Sequence, residues 1–154
     1  LNVRAVVHLT GRLLPLLRAR GGVIMNLAST VAFQPTAFAA TYGATKAFVL
    51  NWTIALNEEL RGSGVRALAV CPGPTRTDFF HQAGAAGAEK APFAMTSEAV
   101  VEIALRALGS GRAQVVTGWR NKVMTFVGAR VSKPLAAQVS GKILQRLRGR
   151  KEAP

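Results

Sequence analysis

Apolar residues recur at helical spacing from the start of the chain. Val6, Val7, Leu13, Leu14 and Leu17 describe one helix over Val3 to Arg20. Pro15 should kink that helix or mark its last turns, and RGG at 20–22 is a stop signal. VIMNLAS, residues 23–29, is a short apolar run after glycines and predicts a strand buried on both faces. TVAFQPTAF is loop-like, broken at Pro35. A long helix follows over Tyr42 to Leu60, with Val49, Leu50, Thr53, Leu56 and Leu60 along it, and RGSG ends it. VRALAVCPG predicts a second buried strand running into a Pro-Gly turn. Residues 75–95 are irregular and rich in Ala, Gly and Pro. A third helix is expected from Ser97 to Leu108, capped by Thr96 or Ser97 and closed by Gly109. AQVV at 113–116 is a third short strand. From Asn121 to Arg148 the pattern is that of two amphipathic helices broken near Lys133-Pro134.

Helices alternating with short buried strands predict a parallel α/β sheet. Three strands with their helices amount to half of a doubly wound domain. The sequence opens on Leu1 with the apolar pattern already under way. It therefore reads as a chain that begins inside a domain, either a fragment or a partial gene product. Residues 1–118 are expected to be the C-terminal part of that domain, and 119–154 a basic helical tail.

Composition narrows the class. With 154 residues, 49% of them hydrophobic, the chain can bury a core and is not disordered. No run reaches the roughly 18 uncharged apolar residues of a membrane span. One cysteine, Cys71, excludes an internal disulfide framework and fits a reducing, cytoplasmic setting. His8 and His81 lack metal-ligand partners, so no metal site is assigned.

The net charge of +13 is uneven. From Arg112 onward ten basic residues face one acid, Glu152, giving +9, while residues 1–111 hold ten basic and six acidic residues, giving +4. With few aromatics and no nucleic-acid motif there, a nucleic-acid partner is not indicated. The expected arrangement is a tail docked on its own domain with a basic outer face. Weak contact with an anionic membrane, which would make the protein peripheral, is the alternative.

The candidate chemistry lies in AATYGATKAF, residues 39–48. Tyr42 and Lys46 are four apart and share a helix face. A neighbouring ammonium favours phenolate and lowers the phenol pKa from about 10. A tyrosine so tuned can exchange a proton near neutral pH. Gly43, Ala44 and Thr45 would let a flat ligand approach. Alone, Tyr-x-x-x-Lys is weak, equally read as a surface tyrosine beside a snorkelling lysine. Its context strengthens it. Ser29 closes the preceding strand, where parallel α/β sheets place ligand-binding residues.

Together, NLAST, AATYGATKAF and NEELRGSGVRALAVCPGPTRTDFF resemble the short-chain dehydrogenase/reductase family. The resemblance implies a Rossmann-like doubly wound parallel sheet, present here in part, and hydride transfer with NAD or NADP. It implies that Tyr42 is the catalytic acid/base. It implies also that Lys46 lowers the tyrosine pKa and hydrogen-bonds the nicotinamide ribose, and that Ser29 holds the substrate oxygen. It makes Asn2 the helix asparagine of a proton relay, which orders a water behind the lysine; otherwise Asn2 is simply a polar helix-start residue. Pro72 and Gly73 would let backbone approach the nicotinamide ring, Thr77 would bond its carboxamide, and Thr75 belongs to the same segment. Asn26 more naturally ties neighbouring backbone together, and Cys71 is a buried small apolar residue.

One departure is clear: no Gly-rich phosphate loop of the Gly-x-x-x-Gly-x-Gly type occurs in these residues. The expected protein interconverts a small carbonyl and its alcohol. Phe79, Phe80, Phe93 and Met95 give a weak lean toward a hydrophobic substrate. The competing reading is a non-catalytic truncated chain or a membrane-associated module. Apolar residues on more than one face of helices 3–20 and 42–60, Phe48 and Trp52 among them, imply a homodimer or homotetramer.

Overall fold

The computed structural model describes residues 2–78 and 93–149, with side chains as far as Gln145. Helix α1 spans Arg4–Arg20, strand β1 Gly22–Leu27 and a 3-10 turn Thr30–Phe33. Helix α2 spans Ala40–Glu59 and strand β2 Val65–Cys71. Two-residue strands β3 (Thr75–Arg76) and β4 (Met95–Thr96) precede helix α3, Ser97–Gly109. Strand β5 (Gln114–Val116) leads to helices α4, Trp119–Gly128, and α5, Lys133–Gly149.

β1, β2 and β5 form one parallel sheet in that order, with Ile24 opposite Ala67 and Val70 opposite Val115. The expected partial doubly wound α/β arrangement is therefore present. β2 is the central strand, and every residue but Arg66 is buried. Its two faces feed separate cores. On one face Ile24, Ala67 and Ala69 meet α1 and α2 through Leu14, Leu17, Val49, Leu50, Leu56 and Leu60. On the other, Leu68, Val70 and Val115 meet Val100, Ala104 and Ala107 of α3. Thr96 caps α3, its hydroxyl accepting from the Ala99 amide at 3.3 Å.

Two of the expectations for these elements need correction, those for β1 and for residues 75–95. β1 is not buried on both faces: Ile24 and Asn26 point inward, but Val23, Met25 and Leu27 are exposed. α1 and α2 cover only one side of this strand, and α3 reaches no further than β2 and β5. Pro15 lies in the last turns of α1, as expected, and the helix ends at Arg20 before the glycines. The carbonyl that the proline ring displaces belongs to Gly11, four residues back on the exposed side of the helix, where water can satisfy it. The two tail helices are broken just before Lys133-Pro134, as expected, and Pro134 lies in the first turn of α5, where the missing N–H costs nothing. Within the segment read as irregular, β3 and β4 pair in parallel, Thr75 opposite Met95.

The tail also differs from expectation in which residues face inward. α4 buries Asn121 and Thr125, and a side chain at Gly128 would collide with Gln34. α5 buries Ala136, Ser140 and Gly141. The Ser140 hydroxyl accepts from the Ala37 amide at 3.1 Å and donates to the Pro35 carbonyl at 3.1 Å. Polar and small residues hold both helices to the 30–38 segment. Their large apolar residues face outward.

Candidate active site

The carboxyl ends of β1 and β2 bring the candidate residues together. Backbone pairing continues past both strands, from the Ala28 amide to Val70 (2.8 Å) and the Thr30 amide to Pro72 (2.9 Å). This fixes Ser29 beside the Cys71-Pro72 end of β2. Ser29 is buried and extended, and its hydroxyl accepts from the Val31 amide at 3.3 Å, capping the 3-10 turn.

Helix α2 then returns over the sheet carrying Tyr42 and Lys46. A buried polar link positions it. The Asn26 amide on β1 donates to the Thr53 hydroxyl at 2.9 Å, and that hydroxyl donates to the Val49 carbonyl at 2.6 Å. Asn26 thus ties its strand to a helix side chain rather than to neighbouring backbone.

Tyr42, Ser29 and Lys46 converge. The Lys46 ammonium lies 5.7 Å from the Tyr42 ring centre and donates to the Leu27 carbonyl at 2.8 Å. Burial raises the Tyr42 pKa above its ordinary value, and a side-chain hydrogen bond with Ser29 opposes that rise. The expected sign was the reverse. Burial outweighs the Ser29 hydrogen bond, and Lys46 is not among the causes of the shift. Burial lowers the Lys46 pKa, partly offset by Cys71. The Cys71 thiol is pushed up to about 12 by burial, with opposing pulls from the Ser29 backbone and Lys46. Cys71 is a buried thiol, as expected, and it also interacts electrostatically with the lysine.

Asn2 lies exposed in the turn before α1, with no hydrogen bond to Lys46 among the described residues. Gly43 does not open a ligand face, because it packs against Thr36; a Cβ there would stand 3.3 Å from the Thr36 side chain. The Pro72–Thr77 turn leaves β2 beside Ser29. Thr75 donates to the Gly73 carbonyl at 3.0 Å, and Thr77 is exposed.

The role expected of Gly73 is changed by two residues that sequence reasoning missed. A Cβ at Gly73 would stand 2.6 Å from Asn121 Cγ, so the side-chain direction of this glycine is filled by Asn121, not left open for a ring. Asn121 is buried and donates to the Thr117 carbonyl at 2.7 Å, and the Thr117 amide donates to Cys71 at 3.2 Å. The Asn121 side-chain oxygen and the Thr117 hydroxyl lack protein partners among the described residues. No sequence pattern pointed to them, because they follow β5 some fifty residues from the turn they support.

Phe79, Phe80 and His81 lie outside the described residues. Met95 packs with the Leu68 and Val70 core and Phe93 is half-buried, so packing accounts for Met95 without a substrate. Among the described residues there is no group of metal-ligating side chains. A groove of about 440 Å³ lined by Asn57, Arg61, Gly64 and Arg66 lies at the opposite end of β2, away from these residues.

A phenol, a hydroxyl and an ammonium, gathered where the strands end, can hold an oxygen atom and pass it a proton. Open parallel sheets take ligands at this edge. The polar groups fit the nicotinamide half of a dinucleotide. No Gly-rich loop in the sequence fits its phosphates.

The short chain dehydrogenase family model matches residues 1–87. Serine 3-dehydrogenase of Rhizobium radiobacter is 37% identical over 78 residues, 51% of this chain and 31% of that protein. Ketoacyl reductase HetN of Nostoc is 44% identical over 73 residues, 47% of this chain and 25% of that one. A short-chain dehydrogenase from Sphingobium yanoikuyae, solved with NADPH, superposes with a TM-score of 0.71 at 33% identity, covering 84% of this chain and 52% of that one. A Burkholderia cenocepacia short chain dehydrogenase solved with NADP gives 0.70 at 25%, covering 99% and 56%. The matched stretches span about a third or less of these two curated relatives, and about half of the solved chains.

Proposed function

The chain belongs to the short-chain dehydrogenase family, and on that premise we propose that the protein is an NAD(P)-dependent oxidoreductase interconverting a carbonyl and an alcohol. The observation that carries this reading is the convergence of Ser29, Tyr42 and Lys46 at the carboxyl end of β1, with Ser29 hydrogen-bonded to Tyr42.

When bound, the nicotinamide supplies or accepts the hydride. The chain's own residues handle the oxygen and its proton. Ser29 Oγ donates to the substrate oxygen and fixes it against Tyr42. Tyr42 Oη gives its proton to that oxygen as negative charge builds on it, or takes the proton in the oxidative direction. The raised pKa keeps the phenol protonated at neutral pH, the form that donates. Lys46 would hold the nicotinamide ribose from its place beside Leu27. Thr75 and Thr77 would bind the carboxamide, with Pro72 and Gly73 forming the turn that carries them. Asn2 would belong to a proton relay behind Lys46.

The relatives named above support this reading by what they are called, and the two solved complexes by the nucleotides they hold. Assembly follows from a different face. α1 exposes Leu9, Leu13 and Leu16, and α2 exposes Phe48, stacked 6.4 Å from Trp52. These residues would be buried between copies of the chain in a homodimer or homotetramer. Sedimentation should give a multimer that Leu9→Ser with Leu16→Ser reduces to a monomer.

The test of function is NAD(P)H oxidation by the purified protein across a panel of ketones and aldehydes. Turnover of at least one carbonyl, abolished by Ser29→Ala, supports the reading. Failure to bind either nucleotide in a direct titration would favour a non-catalytic chain.

A further inference from the structure

Helix α4 is inside out. Its inward face carries Asn121, Thr125 and Gly128, and its outward face carries Trp119, Val123, Phe126 and Val127, with Met124 at the border. Trp119 is 70% exposed and Phe126 59%, against 1% for Asn121. Burying polar groups while exposing aromatics reverses what a helix on a globular domain normally does. The inward polar groups are partly accounted for, because Asn121 and Thr125 bond the backbone of their own helix and its approach. The outward face has no counterpart within the described residues.

The charges around that face are of one sign. At about 100° per residue, Arg120 and Lys122 fall on opposite flanks of the Trp119–Val123–Phe126 band. The Arg120 guanidinium lies 5.3 Å from the Trp119 ring centre, and that of Arg130 lies 3.4 Å from the Phe126 ring centre. No acidic residue occurs between Glu102 and Glu152 in the sequence. None of these cations is in an ion pair; among the described residues the pairs are Glu58 with Arg61 and Glu102 with Arg106. α5 repeats the theme: Leu135, Val139 and Ile143, spaced at four, are each about half exposed, with Lys142 beside them.

We propose that the outward face of α4, continued by that of α5, docks on an anionic lipid bilayer. An apolar band flanked by cations matches the boundary between acyl chains and acidic headgroups. Tryptophan and arginine are residues that settle at that depth. A protein partner with an acidic rim and apolar centre would match the charge, but a bilayer also suits the aliphatic and aromatic mixture, whose one hydrogen-bonding side chain, the Trp119 indole, suits the headgroup boundary. None of the described helices is long and apolar enough to cross a membrane, so the contact is peripheral. The outward residues of α4 are not among those of the candidate active site, which meets this helix only through inward-facing Asn121.

The experiment is vesicle co-sedimentation of the full chain with phosphatidylcholine alone and with phosphatidylcholine containing phosphatidylglycerol. Binding should appear with the anionic vesicles and weaken as salt rises. Trp119→Ser with Phe126→Ser leaves every cation in place and should weaken binding about tenfold or more. Lys122→Gln with Arg130→Gln should weaken it by a similar factor, on anionic vesicles only. In a Trp52→Phe background Trp119 is the single indole, and its emission should shift to the blue on binding. Unchanged binding of the serine variant would overturn the proposal. So would equal affinity for neutral vesicles, or absence of binding at low salt. Loss of self-association in the serine variant, with wild-type protein indifferent to vesicles, would assign the face to a second copy and overturn it too. Circular dichroism melts of the serine and glutamine variants should match wild type, as their altered side chains are outward, and Trp52→Phe, which touches the core, serves as the reference for the emission measurement.

Discussion

Lys46 donates its 2.8 Å hydrogen bond to the carbonyl of Leu27, two residues before Ser29 on the same strand end. One side chain of α2 thereby reads the position of the segment that carries the serine. The bond anchors the ammonium to the strand while it stays 5.7 Å from the Tyr42 ring centre. Lys46→Met keeps the aliphatic stem and removes the ammonium. Its cost to stability should be modest, about 1 kcal/mol, measured by urea unfolding. Nucleotide affinity should fall at least tenfold in a fluorescence titration.

The link between Asn26 and Thr53 should matter more to stability. Both are buried, and Thr53 is fully so. Thr53→Val keeps the shape and removes the acceptor, leaving the Asn26 amide buried without its partner. A loss of about 1–3 kcal/mol is expected. Thr53→Ser, which retains the hydroxyl, should recover part of it.

Gly73 and Asn121 should be strongly coupled. Gly73→Ala forces a methyl into the space held by Asn121 and should cost about 1–3 kcal/mol. In an Asn121→Ala background the same change should cost well under 1 kcal/mol. A double-mutant cycle by denaturant unfolding measures the difference. Equal costs in both backgrounds would show that the turn moves freely away from α4.

The buried thiol predicts alkaline lability. The folded pKa of Cys71 is raised from 9.0 to about 12, so the folded state holds its proton more tightly than the unfolded state. This contribution is fully present below pH 9 and is lost as pH climbs toward 12. Raised Tyr42 acts in the same direction, while lowered Lys46 acts against it. Wild-type protein should therefore lose stability relative to Cys71→Ala between pH 9 and pH 11. The slope should approach about 1.4 kcal/mol per pH unit at most.

The sequence announced the elements that bury apolar residues with a clear period. α2 and β2 are where Val49, Leu56 and the VRALAVC run put them, and Ser29, Tyr42 and Lys46 meet at one strand end as their spacing implied. What it hid depends on contacts between distant residues. Nothing local distinguishes Gly73 facing a ligand from Gly73 facing Asn121. Helical periodicity located α4 but not which side faces in, since Asn121 and Thr125 found partners in their own backbone and could be buried. The apolar run of β1 likewise reads the same whether its second face is covered or, as here, open. The phenol's pKa had the wrong expected sign because spacing along a helix says nothing about how deeply the phenol is buried.

The most direct test of the central claim is the steady-state turnover of Tyr42→Phe in the purified protein, with nucleotide saturating and a carbonyl that wild type reduces. Phenylalanine keeps the ring and removes the only proton at that position. The expected result is a fall in kcat of about 10²-fold or more, with nucleotide affinity and thermal stability little changed. A Tyr42→Phe protein that turns over near the wild-type rate would contradict it.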